Sequence, residues 1–121
     1  METYTSHIYT IEEIIEKTTP IFKERGVIRA VLFGSYAKGE ATSKSDVDIV
    51  AYCEDWVSGL DLCGIGGEIM EKLNKSVDFF DIEELKPNSN TEKEINNTGK
   101  VIYEKNKEIY SSEDYVLLPR D

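Results

Sequence analysis

Residues 27–52 read VIRAVLFGSYAKGEATSKSDVDIVAY, and this stretch decides the fold. Val27 to Phe33 is a nearly unbroken apolar run without glycine or proline, the pattern of a strand covered on both faces. The run stops at Gly34. Small and polar residues from Gly34 to Ser45 follow, punctuated by Gly34 and Gly39, and predict a loop or the start of a helix. Asp46 to Tyr52 then alternates as a second strand does.

Upstream, Ile11, Ile14, Ile15, Thr18 and Phe22 recur at helical spacing. Thr10 and Glu13 form a capping box, in which each side chain satisfies an otherwise orphan backbone N–H. Pro20 predicts a kink, or a restart with Thr19 as cap, and Gly26 predicts the end of the helix. Downstream, a linker spans 53–59, and Leu62, Ile65, Ile69, Met70 and Leu73 predict a helix over 60–74. Gly64, Gly66 and Gly67 weaken it, each by roughly 1 kcal/mol relative to alanine. Ser76 to Ile82 reads as a third strand, and EELKPNSN after it as a turn-rich connection. Thr91 with Glu94 predicts another capping box and a short helix stopping near Gly99, and Val101 to Tyr103 predicts a fourth, edge strand. The expectation is a single domain over 1–121 with its core at about 10–104. The tail over 105–121 contains YVLLP, an apolar strip suited to packing back or to docking.

The residues around Gly34 have the makings of a site. Glycine lets the backbone approach a ligand, and a chain turning from strand into helix presents N–H groups that favour a phosphate, to which Ser35 adds a hydroxyl. In a strand, positions i and i+2 share a face at a spacing of roughly 6.6 Å. Asp46 and Asp48 therefore converge while Val47 and Ile49 enter the core, and two such carboxylates can share divalent metals. Hard oxygen donors suit Mg²⁺ or Mn²⁺. Asp78, between Val77 and Phe79, is an acid costly to bury without a metal or hydrogen bonds, which makes it the third candidate ligand. Asp81 is the rival, but three residues on it faces the other side of the strand.

Each part also has an ordinary reading. A lone Gly-Ser is a turn in most proteins, and a lone Asp-x-Asp is a solvated strand edge; the chain order of the whole set favours the site. Lys38 could reach a phosphate, although a solvated loop lysine is the simpler reading. Gly64 to Ile69 is no dinucleotide fingerprint, because Ile69 stands at the third glycine position and no strand precedes it. Trp56 and Tyr52 could stack on a base, with rim packing as the plainer alternative. His7 sits in an N-terminal stretch without evident partners. Cys53 and Cys63 form no C-x-x-C, and with one histidine they read as reduced thiols rather than zinc ligands.

Charge narrows the partners. Lys and Arg number 14 against 24 Asp and Glu, a net charge of −10 that disfavours unaided binding to nucleic acid or anionic membrane. No run approaches the ~20 apolar residues of a membrane span, and METYTSHIYT lacks the features of a signal peptide, so the cytosol is expected.

The Gly34-Ser35 pair, ten residues, and Asp46-Val47-Asp48 together resemble the signature of the minimal nucleotidyltransferases of the DNA polymerase beta superfamily. The local pattern G-S-x-A-[RK]-G is matched by Gly34, Ser35, Ala37, Lys38 and Gly39, and S-D-x-D by Ser45, Asp46 and Asp48. Val77-Asp78 and Gly99 to Tyr103 are similar to later family segments, so the resemblance spans roughly residues 10–104. Cys63-Gly64-Ile65-Gly66-Gly67 departs from it, where relatives carry a plain helix. The resemblance implies an α/β (α+β) nucleotidyltransferase fold, a mixed sheet of about four strands flanked by helices. It implies ATP and two Mg²⁺ ions, with Gly34 and Ser35 on the triphosphate and Asp46, Asp48 and Asp78 on the metals. Many members this small resemble antitoxins paired with a HEPN-type ribonuclease toxin, and some of these move AMP from ATP onto a tyrosine of the toxin. Two alternatives remain beside that expectation: a toxin-binding module without catalysis, and transfer to a small molecule or an RNA end.

Overall fold

The computed structural model describes residues 4–107. In chain order these form α1 (Ile11–Glu24), β1 (Val27–Phe33), α2 (Gly34–Lys38), β2 (Val47–Cys53), α3 (Gly59–Leu73), β3 (Val77–Asp81), a 3₁₀ turn (Ile82–Glu84), α4 (Asn90–Thr98) and β4 (Lys100–Glu104). The sheet runs β3-β2-β1-β4, with β1 antiparallel to both β2 and β4 and β2 parallel to β3. This is the expected mixed four-stranded sheet, and β4 lies at its edge.

Helices cover both faces. On one, α1 and α3 bury Phe22 against Tyr103 and Phe79, with ring centres 5.4 and 6.3 Å apart. On the other, α2 and α4 pack over β1, and Phe33 meets Phe80 edge-on at 5.8 Å. Being enclosed from both sides explains the continuous apolar run of β1, whose Ala30, Val31 and Leu32 are wholly buried. No described helix is long and apolar enough to cross a membrane.

Pro20 does not break α1, contrary to the expected kink or restart: the helix runs through it to Glu24. Pro20 faces solvent, while Ile21 and Phe22 beyond it are buried. An internal proline costs about 3 kcal/mol. Two buried side chains contribute roughly 1.5–3 kcal/mol each, so packing outweighs the local penalty. The Thr18 and Thr19 hydroxyls donate to the carbonyls of Ile14 (2.7 Å) and Ile15 (2.6 Å) in the turn before it. The Thr10–Glu13 capping box is present as read.

The glycines of α3 do not interrupt it either. Ile65, Ile69 and Leu73 are fully buried along one stripe, and a Ser58–Asp61 capping box closes its start. At α4 the cap is Ser89, whose Oγ accepts from the Glu92 N–H at 3.1 Å, and not Thr91 as the pattern suggested. Capping two residues earlier frees Glu94 from that role. His7 has partners after all: its Nε2 lies 3.1 Å from the Glu13 carboxylate and its ring meets Tyr9 edge-on. Both cysteines are free thiols. The YVLLP strip lies outside the described residues.

Candidate active site

Register builds the site. Phe33, the last residue of β1, pairs with Asp48, and Asp48 in turn pairs with Asp78 on the parallel neighbour. Paired residues of adjacent strands point the same way, and positions two apart share a face. Asp48 and Asp78 thus share the face that α2 and α4 flank, and Asp46, in the turn just before β2, is close enough for its charge to act on Asp48; Asp46 and Asp78 are exposed and Asp48 is partly buried. Val47 and Ile49 turn into the core and are completely buried.

Gly34 fits under this cluster for two reasons. Its φ of +74° lies in the left-handed region that side chains resist. A Cβ there would also collide with Asp48 Oδ2 and stand 3.2 Å from Asp48 Cγ. The turn from β1 into α2 thus brings bare backbone against the carboxylate. Ser35 follows on the first turn of α2, and its carbonyl accepts from the Glu40 N–H at 2.9 Å as the helix closes at Gly39.

Burial and like charge act on Asp48 together. Its carboxyl is pushed up from 3.8 to about 6, first by burial and then by the charges of Asp78, Asp46 and Glu94. Glu94 was not legible as a site residue. It comes from α4, 46 positions after Asp48, and lies 3.4 Å from Lys38 at the end of α2. Lys38 is thereby an ion-pair partner across two helices.

The donor set fits a hard divalent cation: oxygen only, from carboxylates whose mutual repulsion a cation would relieve. Among the described residues no three such groups stand close enough to enclose an ion as the side chains now lie.

The rival carboxylate is elsewhere. Asp81 pairs with Ala51 on the opposite face, and its Oδ1 accepts from the Glu83 N–H at 2.8 Å. There it stands beside Cys53, whose thiol is pushed up to about 11 by burial and by the Asp81 charge. Trp56 and Tyr52 are also remote from the cluster. Trp56 lies over Gly26 at the other end of β1, beside a groove of about 920 Å³, and Tyr52 lies under the Arg29 guanidinium at 5.7 Å. No residue of the carboxylate cluster lines that groove.

Residues 16–108 match the protein family described as Polymerase beta, Nucleotidyltransferase. The chain belongs to that family. This nucleotidyltransferase is 40% identical over 77 residues to a candidate protein adenylyltransferase of Methanocaldococcus jannaschii, covering 64% of this chain and 83% of that one. Its fold is similar to the solved structure of a candidate minimal nucleotidyltransferase, at 28% identity and a TM-score of 0.61 over 69% of this chain and 87% of that one. It is also similar to a chain in the complex of a tri-AMPylated Shewanella oneidensis HEPN toxin with its MNT antitoxin. That likeness has 17% identity and a TM-score of 0.57 over 79% of this chain and 74% of the other.

Proposed function

We propose that this nucleotidyltransferase transfers AMP from ATP, with Mg²⁺, onto a tyrosine hydroxyl of a partner HEPN-type ribonuclease toxin and thereby acts as its antitoxin. The observation that carries the reading is the facing of Asp46, Asp48 and Asp78 at one end of the sheet, against a glycine that leaves no room for a side chain. Membership of the family supports nucleotidyl transfer. The adenylyltransferase relative supports a protein acceptor, and the likeness to the toxin–antitoxin complex supports a HEPN-type one. A net charge of −10 supports an acceptor surface that is basic or neutral.

Asp46 and Asp48 would hold two Mg²⁺ ions, and Asp78 would hold one of them. Bound there, the ions neutralise the triphosphate and make the acceptor hydroxyl more acidic. Gly34 and Ser35 hold the β- and γ-phosphates through backbone N–H and hydroxyl contacts. The acceptor oxygen forms a bond to the α-phosphorus in line with the leaving group. The bond from that phosphorus to pyrophosphate breaks, and the hydroxyl proton passes to a carboxylate oxygen of Asp78. The cytosol, where reduced thiols such as Cys53 and Cys63 persist, is the compartment this reading implies.

Incubation with ATP, Mg²⁺ and a purified HEPN-type toxin tests the reading. The expected result is a mass gain of one or more AMP units on that protein, lowered by about 10³-fold or more in an Asp46→Asn/Asp48→Asn variant. Identical unmodified spectra for wild type and variant would overturn catalysis. Full suppression of the toxin by the double variant in cells would favour neutralisation by contact alone.

A further inference from the structure

Among the described residues, Lys75 is the only charged side chain that is wholly enclosed, with 2% exposure. It follows Asn74, the left-handed cap of α3, and precedes β3 by one residue. Its Nζ donates to the carbonyl oxygens of Ser43 at 3.2 Å and Thr5 at 3.3 Å. Among the described residues no carboxylate stands within ion-pair distance of it. Removing an ammonium from water is expensive, and bonds from a charged donor to carbonyl oxygens are the compensation this structure shows.

The two ends of this contact are informative. Ser43 sits in a tight turn, in which the Thr42 N–H donates to Ser45 Oγ at 2.8 Å and the Ser45 N–H donates to the Thr42 carbonyl at 3.1 Å. The turn leads directly into Asp46, which precedes β2 and is outside the strand ladder. The first rung near it joins the Val47 N–H to the Ser76 carbonyl at 3.0 Å. At its own end, Lys75 stands three residues before Asp78. Thr5 closes the arrangement, because its N–H donates to the Asn74 carbonyl at 3.0 Å while its carbonyl accepts from Lys75. Lys75 and Asp46 line the same recess of about 400 Å³.

We propose that Lys75 is a positioning residue. By pinning the Ser43 carbonyl to the start of β3, it sets the separation between the Asp46 and Asp78 carboxylates without touching nucleotide or cation. The β2–β3 ladder fixes Asp48 and Asp78, but Asp46 takes its place from the turn, and Lys75 ties that turn down. The inference rests on the reading of these acids as the metal site.

Lys75→Met, which keeps the length and loses the donors, is compared with Lys75→Arg and wild type. Three quantities are read: Mn²⁺ affinity by electron paramagnetic resonance, AMP transfer, and amide exchange over residues 42–46. The methionine variant is expected to bind Mn²⁺ about tenfold more weakly. Its kcat is expected to fall about 100-fold at saturating ATP. Exchange at 42–46 is expected to rise about tenfold, with β1 unchanged. The arginine variant, which retains charge and donors, should recover part of the metal affinity. Wild-type Mn²⁺ affinity and wild-type exchange at 42–46 in a folded Lys75→Met protein would overturn the proposal. If the methionine variant does not fold, Lys75→Gln takes its place with the same readouts and the same two outcomes. If wild type itself transfers no AMP and binds no Mn²⁺, the functional reading falls, while the exchange comparison still judges the tie.

Discussion

Two glycines bracket β1, and each lies beneath a side chain that a methyl group would displace. At one end Gly26, with φ +82°, sits under the Trp56 ring, and a Cβ there would be 2.5 Å from Cζ2. At the other Gly34, with φ +74°, sits under the Asp48 carboxylate. The backbone device is the same and the surroundings are opposite. Near Gly26 two acids have cations: Glu54 meets Lys105 at 2.7 Å and Glu104 meets Arg29 at 2.8 Å. Near Gly34, Asp48 faces Asp46, Asp78 and Glu94, and its carboxyl rises to about 6. At one end charge is paired along the groove. Opposed like charge at the other leaves a demand that a cation can meet.

The sharpest way to break this comparison is to place a methyl group at each glycine. Gly34→Ala is expected to lower AMP transfer about 100-fold, because Asp48 must move away from its place over the turn. Gly26→Ala should leave transfer within about twofold, since its disturbance is at the far end of the sheet. Both variants should lose roughly 1–2 kcal/mol of stability in denaturant titrations, from placing a side chain at positive φ. Equal losses of transfer in the two variants, assayed well below their melting temperatures, would erase the distinction.

A smaller effect sharpens it through pH. A cation requires Asp48 ionised, and protons compete for it below its folded pKa of about 6. Mn²⁺ affinity should therefore weaken by up to about tenfold per unit as pH falls below that value, measured by titration across pH 4.5–8. A flat profile through pH 6 would remove Asp48 from the cation site.

The smallest expected effect is on stability. The Asp48 carboxyl is raised above its unfolded value, so between the two values the folded chain holds the proton more tightly. Its contribution therefore makes stability fall as pH rises from about 4 to about 6, after which the deficit stays constant. Asp48→Asn removes the charge. It should stabilise the metal-free protein by about 1 kcal/mol at pH 8, less than the full shift because solvent screens the partly buried carboxylate, and the gain should vanish near pH 4. Thermal unfolding at the two pH values measures the difference.

Much of this was legible because its cause is local. The apolar run of β1, the Asp46–Asp48 alternation and the Thr10–Glu13 box each follow from periodicity or capping over a few residues. Asp78 was separable from Asp81 by strand parity alone, and the register places them on opposite faces as parity requires. What was misread depended on packing from elsewhere. Pro20 reads as a breaker until Ile21 and Phe22 are seen to be buried, and Thr91 reads as a cap until Ser89 is seen to hold that place. Glu94 and Lys75 carried no local signal. One approaches Asp48 across two layers of structure, and the other reaches Ser43 over 32 positions of chain.

The sequence by itself determined which residues can do chemistry here, because Gly34-Ser35, Asp46-x-Asp48 and Asp78 owe their relation to turn geometry and to the two-residue period of a strand. Only the tertiary structure decided what surrounds them. The pairing of β2 with β3 sets Asp78 beside Asp48, α4 brings Glu94 toward them, and a buried ammonium ties the Asp46 turn to β3. Such relations depend on distance in space, and charge and burial act across it regardless of how far apart the residues lie along the chain.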